Sequence, residues 1–341
     1  MMNLANKKKI AKTVKIFLLV TMSYLFICLA LIYWPSQKQT VVLPDYNASD
    51  RHLGYDHLAS KQNKDNTTTE FIKTESNEKL FIRKFLSDAK VSIVLLHGIA
   101  ANSIDMYQTA LKLRHATGAQ IITPDLRGHG LSDGKMFSVD YVGQYEDDIE
   151  KLLLHLKSTE PEHKIILAGH SMGGGVALRY AIKHSSLIPD GYLLLAPNFG
   201  EGPTQKKTEN SNDNNFVNFN VKRFIGIIML NSIGIHILDD ETVLTFNFPP
   251  KRKSYTYAAV MSAQPVRPQT SDVALAAIKS PLLVLIGSKD EVFNAPQYPD
   301  FVSTYSSGES YLIDGANHNG VLAKDQTYIE IKKWFKKFYS E

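Results

Sequence analysis

From Val91 onward the chain alternates short apolar runs with stretches whose apolar residues recur at three- and four-residue steps, the signatures of buried strands and amphipathic helices. The pattern predicts strand 91–96, helix 103–117, strand 120–123, helix 139–157, strand 164–168, helix 172–183 and strand 191–195. Such alternation implies an α/β fold with a mostly parallel, doubly wound sheet. Two earlier strand-like stretches, 70–74 and 79–85, flank Glu75-Ser76-Asn77-Glu78 and read as a hairpin at the sheet edge. In the long helix Val139, Val142, Tyr145, Ile149 and Leu152 share one face, leaving Glu146, Asp147, Asp148 and Glu150 mainly to solvent.

Between Pro197 and Ser271 the alternation stops. Residues 200–215 are polar and low in complexity, and 216–237 are apolar around Phe224-Ile225-Gly226-Ile227-Ile228-Met229-Leu230. Two readings stand for this apolar helix: a lid facing an acyl chain or a membrane, or a helix buried against the core. The pattern resumes with strand 281–287, a short strand 310–313 and a last helix 321–339. That helix has Tyr328, Ile331, Trp334, Phe335 and Phe338 on one face and lysines elsewhere, so it suits either the sheet or an acidic membrane surface.

The N-terminus adds a different element. Lys7, Lys8, Lys9, Lys12 and Lys15 precede Ile16 to Trp34, a charge-free run close to the roughly 20 residues that span a bilayer. A cleaved signal peptide has a shorter apolar region and a small-residue cleavage site, whereas this run ends in Tyr33-Trp34-Pro35, so an uncleaved signal anchor is expected. Lysines before the span put the N-terminus in the cytoplasm and the rest on the extracytoplasmic side. The expected organisation is therefore a basic N-terminus 1–15, an anchor 16–34, a polar spacer 35–69, core 70–198, an insertion 199–270 and core 271–341. A chain starting near Glu70 is expected to be soluble.

Gly169-His170-Ser171-Met172-Gly173 lies between the apolar run 165–168 and a helical stretch. A strand that reverses straight into a helix needs glycine two places either side of the turn, and it exposes Ser171 at a helix N-terminus. A serine nucleophile requires a histidine base and an acid that orients it, here expected later in the chain on loops that follow strands. Asp290 follows strand 281–287 and is preferred as the acid over Glu291, although an aspartate after a strand is also a common turn residue. His318 follows strand 310–313 and is preferred as the base over the other histidines. The oxyanion donors expected by position are the backbone amides of Met172 and of Ile99, the latter on the loop after strand 91–96.

His97-Gly98, the run Asp125-Leu126-Arg127-Gly128-His129-Gly130-Leu131-Ser132-Asp133-Gly134, the turn at Ser171, Asp290 and His318 together resemble the α/β-hydrolase superfamily. The closest likeness is to its monoacylglycerol lipase and lysophospholipase-like group, which also takes in serine aminopeptidases. The resemblance implies an α/β-hydrolase fold with an inserted cap over the serine, hydrolysis of carboxylic esters through Ser171, His318 and Asp290, and lipid esters as substrates. Two departures stand out: Ile99-Ala100 replaces the glycine many members carry there, and the insertion matches no cap of known preference. An aminopeptidase on the same fold would want an acidic cluster for the substrate amine, for which Asp239-Asp240-Glu241 is a candidate, although a solvated turn also explains it. A catalytically silent binding protein is the other alternative, disfavoured by retention of every motif.

Other classes are excluded or unsupported. Asp133 stands where a dinucleotide loop begun at Gly128-His129-Gly130 would need glycine, so no cofactor is expected. The one cysteine, Cys28, excludes an intramolecular disulfide and a cysteine-based zinc site, and no metal is expected. The five N-terminal lysines account for more than the formal net charge of +4, which leaves no basic surface for nucleic acid.

Overall fold

In the computed structural model, which describes residues 4–35, 43–44, 65–75, 77–183, 186–206, 216–249 and 251–339, the apolar runs become the strands of one large sheet. In chain order the elements are α1 (Leu4–Ile32), β1 (Thr67–Lys73), β2 (Lys79–Phe85), β3 (Val91–Leu96), α2 (Tyr107–Thr117), β4 (Gln120–Pro124) and α3 (Gln144–Thr159). There follow β5 (Lys164–His170), α4 (Met172–Ile182), β6 (Gly191–Leu195), β7 (Val217–Phe219), α5 (Val221–Asn231), β8 (Thr242–Phe248) and β9 (Lys251–Thr256). The chain continues with α6 (Tyr257–Ser262), α7 (Ser271–Ala277), β10 (Leu282–Gly287), α8 (Tyr298–Tyr305), β11 (Glu309–Ile313) and α9 (Asp325–Tyr339).

The chain divides into two compact units, 46–212 with 258–341 and 1–45 with 213–257. In the larger, the described residues form an eight-stranded sheet in the order β1-β2-β4-β3-β5-β6-β10-β11. β1 and β2 form the expected antiparallel edge hairpin, β2 joins β4 antiparallel, and the remaining pairs are parallel. The residues of β3, β4, β6 and β10 are buried throughout, as strands covered on both faces must be. From β3 the chain moves outward to β4 and then returns to place β5 on the other side of β3. Open α/β sheets bind their ligands at the carboxyl ends of strands where the order reverses in this way.

Helix α3 departs from its expected course in where it starts and in what its acidic residues meet. It begins at Gln144, because Gly143 has a φ of 111° and breaks the helix, and buried Val139 lies in the preceding loop. Its acidic face is not simply solvated. Glu146 and Asp148 are buried, Glu146 against Arg179 at 2.5 Å and Asp148 in a two-pronged pair with Arg127 at 2.8 and 2.7 Å. Asp147 and Glu150 both meet Lys183. The partners sit on α4 and on the loop after β4, where a helical period read along one segment has no access to them.

The last helix starts at Asp325 and packs on α2 and β10 with Tyr328, Ile331, Trp334 and Phe335 buried, so its apolar face belongs to the sheet and not to a membrane surface. β1 begins at Thr67, and the chain is already fastened before it: the Tyr107 hydroxyl donates to Asp65 at 2.6 Å and Arg114 to the Asp65 carbonyl at 2.7 Å. A chain starting near Glu70 therefore lacks part of β1. Most of the expected spacer 35–69 lies outside the described residues.

In the smaller unit β7, β8 and β9 form an antiparallel sheet that the period of the sequence did not reveal. Its helix α5, capped by the Asn220 side chain, buries Gly226, Ile227 and Leu230 and lies against α1. α1 is long and apolar enough to cross a membrane, with a most apolar window of mean hydropathy 2.3.

Candidate active site

Strand β5 passes directly into α4 through Ser171, whose φ of 52° lies in the left-handed region that side chains other than glycine rarely enter. The strain is held by close backbone contact that only glycine permits. A Cβ on Gly173 would stand 2.5 Å from the Leu96 carbonyl, and one on Gly169 would collide with the Gly173 backbone. The Ser171 amide donates to the Leu195 carbonyl and its own carbonyl accepts from Gly175 and Asn198, so the turn is fixed on both sides. Ser171 itself is largely buried at the N-terminal end of α4, where partial positive charge collects.

His318 follows β11 and Asp290 follows β10, in adjacent parallel strands. The structure brings them together: His318 Nδ1 donates to Asp290 Oδ2 at 2.8 Å, leaving Nε2 as the free acceptor nitrogen of the ring. Asp290 is buried, and its Oδ1 accepts from the Val292 and Phe293 amides, each at 2.8 Å. Burial opposes the charge on this carboxylate, but the bond to His318, the attraction of that ring when protonated, and the two amides outweigh it and hold the carboxyl below its ordinary range.

The loop carrying His318 is tied to the turn carrying Ser171. His170 Nε2 donates to the His318 carbonyl at 3.2 Å, and the two rings stand 4.9 Å apart. On the other side Glu291 Oε2 accepts the His318 amide at 2.9 Å, while the Phe293 ring meets the imidazole edge-on at 5.2 Å. Glu291, weighed from the sequence as a rival acid, thus holds the backbone of His318 and not its ring. Burial first, and the nearby His318 charge second, push His170 down to about 3, so it is a neutral donor at ordinary pH. The sequence placed His170 inside the turn motif but carried no sign of this role, since the contact spans 148 residues of chain.

The amides expected to meet an oxyanion, Ile99 and Met172, lie on the loop after β3 and at the first position of α4. A Cβ on Gly98 would come within 3.1 Å of the His170 ring and 3.4 Å of Ser171 Cβ, which sets the start of the Ile99 loop beside the serine. That loop turns at Ala100, with a φ of 61°, and is anchored by Asp125, whose Oδ1 accepts from Ser103 and Oδ2 from Leu131. His97 is buried as a structural bridge, donating from Nδ1 to the Gly98 carbonyl and accepting the Leu126 amide at Nε2. Among the described residues, no group of three or more His, Cys, Asp or Glu side chains is disposed to hold a metal ion.

Comparison with known proteins agrees with this fold. Residues 87–231 match the family profile described as serine aminopeptidase, S33. The chain is 28% identical over 254 residues to the AB hydrolase superfamily protein YisY of Bacillus subtilis, covering 72% of this chain and 90% of that one. It is 30% identical over 98 residues to a monoacylglycerol lipase of Mycolicibacterium smegmatis, a match that spans 29% of this chain and 35% of the lipase. Among solved structures, a thermophilic esterase from Thermogutta terrifontis superposes with a TM-score of 0.55 at 20% identity, covering 80% of this chain and all (100%) of that one. Fold, motif order and these likenesses agree: the chain has the α/β-hydrolase fold and is similar to esterases and monoacylglycerol lipases of that fold.

Proposed function

We propose that the protein is a membrane-anchored serine hydrolase that cleaves carboxylic esters, with lipid esters such as monoacylglycerol or lysophospholipid as its substrates. The observation that carries this reading is the 2.8 Å bond from His318 Nδ1 to buried Asp290, which leaves Nε2 to act as a base beside the strained turn of Ser171. Ser171 attacks the ester carbonyl as His318 takes its proton, and the Ile99 and Met172 amides stabilise the oxyanion. His318 then protonates the departing alcohol, and water, activated by the same ring, releases the acid from the acyl-enzyme. The esterase and lipase relatives support the ester class, and the apolar α1, with lysines only at its first turns, supports an anchor with the catalytic unit outside the cytoplasm.

The family profile bears an aminopeptidase description, which keeps amide hydrolysis as the second reading. Its expected acidic cluster is engaged within the smaller unit: Asp239 accepts from Asn231 at 2.8 Å and Glu241 pairs with Arg223 at 3.4 Å. The test is labelling of the intact protein by a fluorophosphonate, beside turnover of p-nitrophenyl esters of increasing chain length, monoacylglycerol, lysophospholipid and aminoacyl anilides. Labelling abolished by Ser171→Ala, and ester turnover lost equally in Ser171→Ala, His318→Ala and the double variant, is the expected result. Native protein that never labels would overturn the enzyme reading, and faster anilide than ester cleavage would favour the aminopeptidase.

A further inference from the structure

The α1–α5 pair joins the insertion to the anchor. The two helices run in opposite directions: Arg223 Nε donates to the Ile32 carbonyl at 3.1 Å, and Tyr24 donates from the far end to the Met229 carbonyl at 2.8 Å. Between these points Gly226 permits the closest approach, since a Cβ there would lie 2.7 Å from Ile32 Cγ1 and 2.8 Å from the Cys28 carbonyl. Cys28 and Ile32 are fully buried by this contact. Helices that associate within lipid meet through such small residues and satisfy their polar groups against one another, as the Tyr24 hydroxyl does here.

The opposite side of α5 is bare. Val221, Ile225 and Ile228, spaced four and three residues apart, form an exposed apolar row. In the following loop Ile233 and Ile237 are exposed too, Ile237 by 80%. On α1, too, residues outside this contact are bare: Phe26, Ile27 and Leu29 are exposed. At the end of α1, Trp34 carries the Lys222 ammonium 4.0 Å above its ring. An aromatic ring beside a cation at the end of an apolar helix is the arrangement found at the level of lipid head groups.

Resting on the proposed anchoring of α1, we infer that α5 is a second membrane-seated element. It docks on α1 through Gly226 and lays Val221, Ile225, Ile228, Ile233 and Ile237 into the apolar boundary of the same bilayer, with Lys222 and Trp34 at the head groups. The occupant of the bare row is lipid, because α5 is docked along the stretch of α1 from Tyr24 to Ile32 that lies within the apolar span itself, so the same bilayer surrounds both helices. The insertion is thereby held at the membrane by its own apolar face as well as by the chain that leads to it.

The experiment uses the full chain in phosphatidylcholine vesicles, with Cys28→Ala removing the one native thiol. Ile225→Cys and Ile228→Cys, and Glu201→Cys on the larger unit as control, each carry a nitrobenzoxadiazole label. Quenching is measured with nitroxide-bearing phosphatidylcholine and with aqueous iodide, after an alkaline carbonate wash. The expected result is carbonate-resistant protein whose labels at 225 and 228 are quenched by the lipid nitroxide and at least several-fold less by iodide than the label at 201. Resistant protein with iodide-quenched labels at 225 and 228 would overturn the seating of α5 alone. Protection from iodide without nitroxide quenching would assign the row to another protein copy and overturn it too. Protein released by carbonate with iodide-quenched labels would overturn the anchor as well.

Discussion

His318 is held at three points, its ring by Asp290 and its backbone by Glu291 and His170, and each partner makes a different prediction. Asp290→Asn should leave the fold intact while lowering kcat by on the order of 10⁴-fold, because the amide favours the wrong ring tautomer. Glu291→Gln keeps an acceptor for the His318 amide and should cost little, whereas Glu291→Ala frees that backbone and should lower kcat by up to about 10²-fold. A large loss in Glu291→Gln with none in Asp290→Asn, in the same ester assay, would exchange the two roles. His170 is pushed down to about 3 in the folded state from 6.5, so between these values the unfolded chain binds the extra proton. Stability should therefore fall as pH drops through that window. Asp290 adds to the loss further down: its lowered folded-state value stabilises the protein above the ordinary 3.8, and that contribution disappears as pH falls through the lower one. Urea unfolding from pH 7 to 4 should show a shallower slope in His170→Gln, and an unchanged slope would contradict the buried neutral imidazole.

Among the elements, the strands and the turn at Ser171 followed from pattern, because continuous apolar runs bounded by glycine have few alternative conformations inside a two-sided sheet. Helix α3 did not. Its carboxylates read as a solvated face because a period of 3.6 reports only the contrast between apolar and polar positions, and a buried ion pair counts as polar. Arg127 and Asp148 are 2% and 3% exposed, and Arg127 also reaches Glu78 and Thr74. Removing one partner leaves the other charge buried, so Asp148→Ala should destabilise the larger unit by about 3–5 kcal/mol in denaturant titrations, while Asp147→Ala should cost under about 1 kcal/mol. Similar losses in the two variants would show that the Arg127 pair is not desolvated in the folded protein.

For the whole molecule, the contact between α1 and α5 changes what truncation does. The sequence placed every residue of the candidate site beyond Glu70, which suggested that the rest would be soluble alone. In the structure, loss of α1 uncovers Gly226 and the face of α5 that lies against α1. A chain that begins at Asp65, keeping β1 and its fastening to Tyr107, should elute from a sizing column as aggregate unless detergent is added. A monodisperse monomer without detergent would mean that α5 does not depend on α1.

The tight turn at Ser171, the places of Asp290 and His318 on loops after strands, the parallel sheet and the apolar N-terminal helix were all legible in the chain, because each rests on local geometry: a glycine at a collision, an apolar run of a given length, a loop after a strand. Folding was needed to assign His170 and Glu291 to the backbone of His318, to pair the acids of α3, and to set α5 against α1. In each of these the partners lie far apart in sequence, and no period within one segment encodes a contact that exists only when distant segments meet. The insertion was the hardest to read for the same reason. Its apolar helix has one face that packs and one that does not, and both faces look alike until the helix that covers one of them is in place.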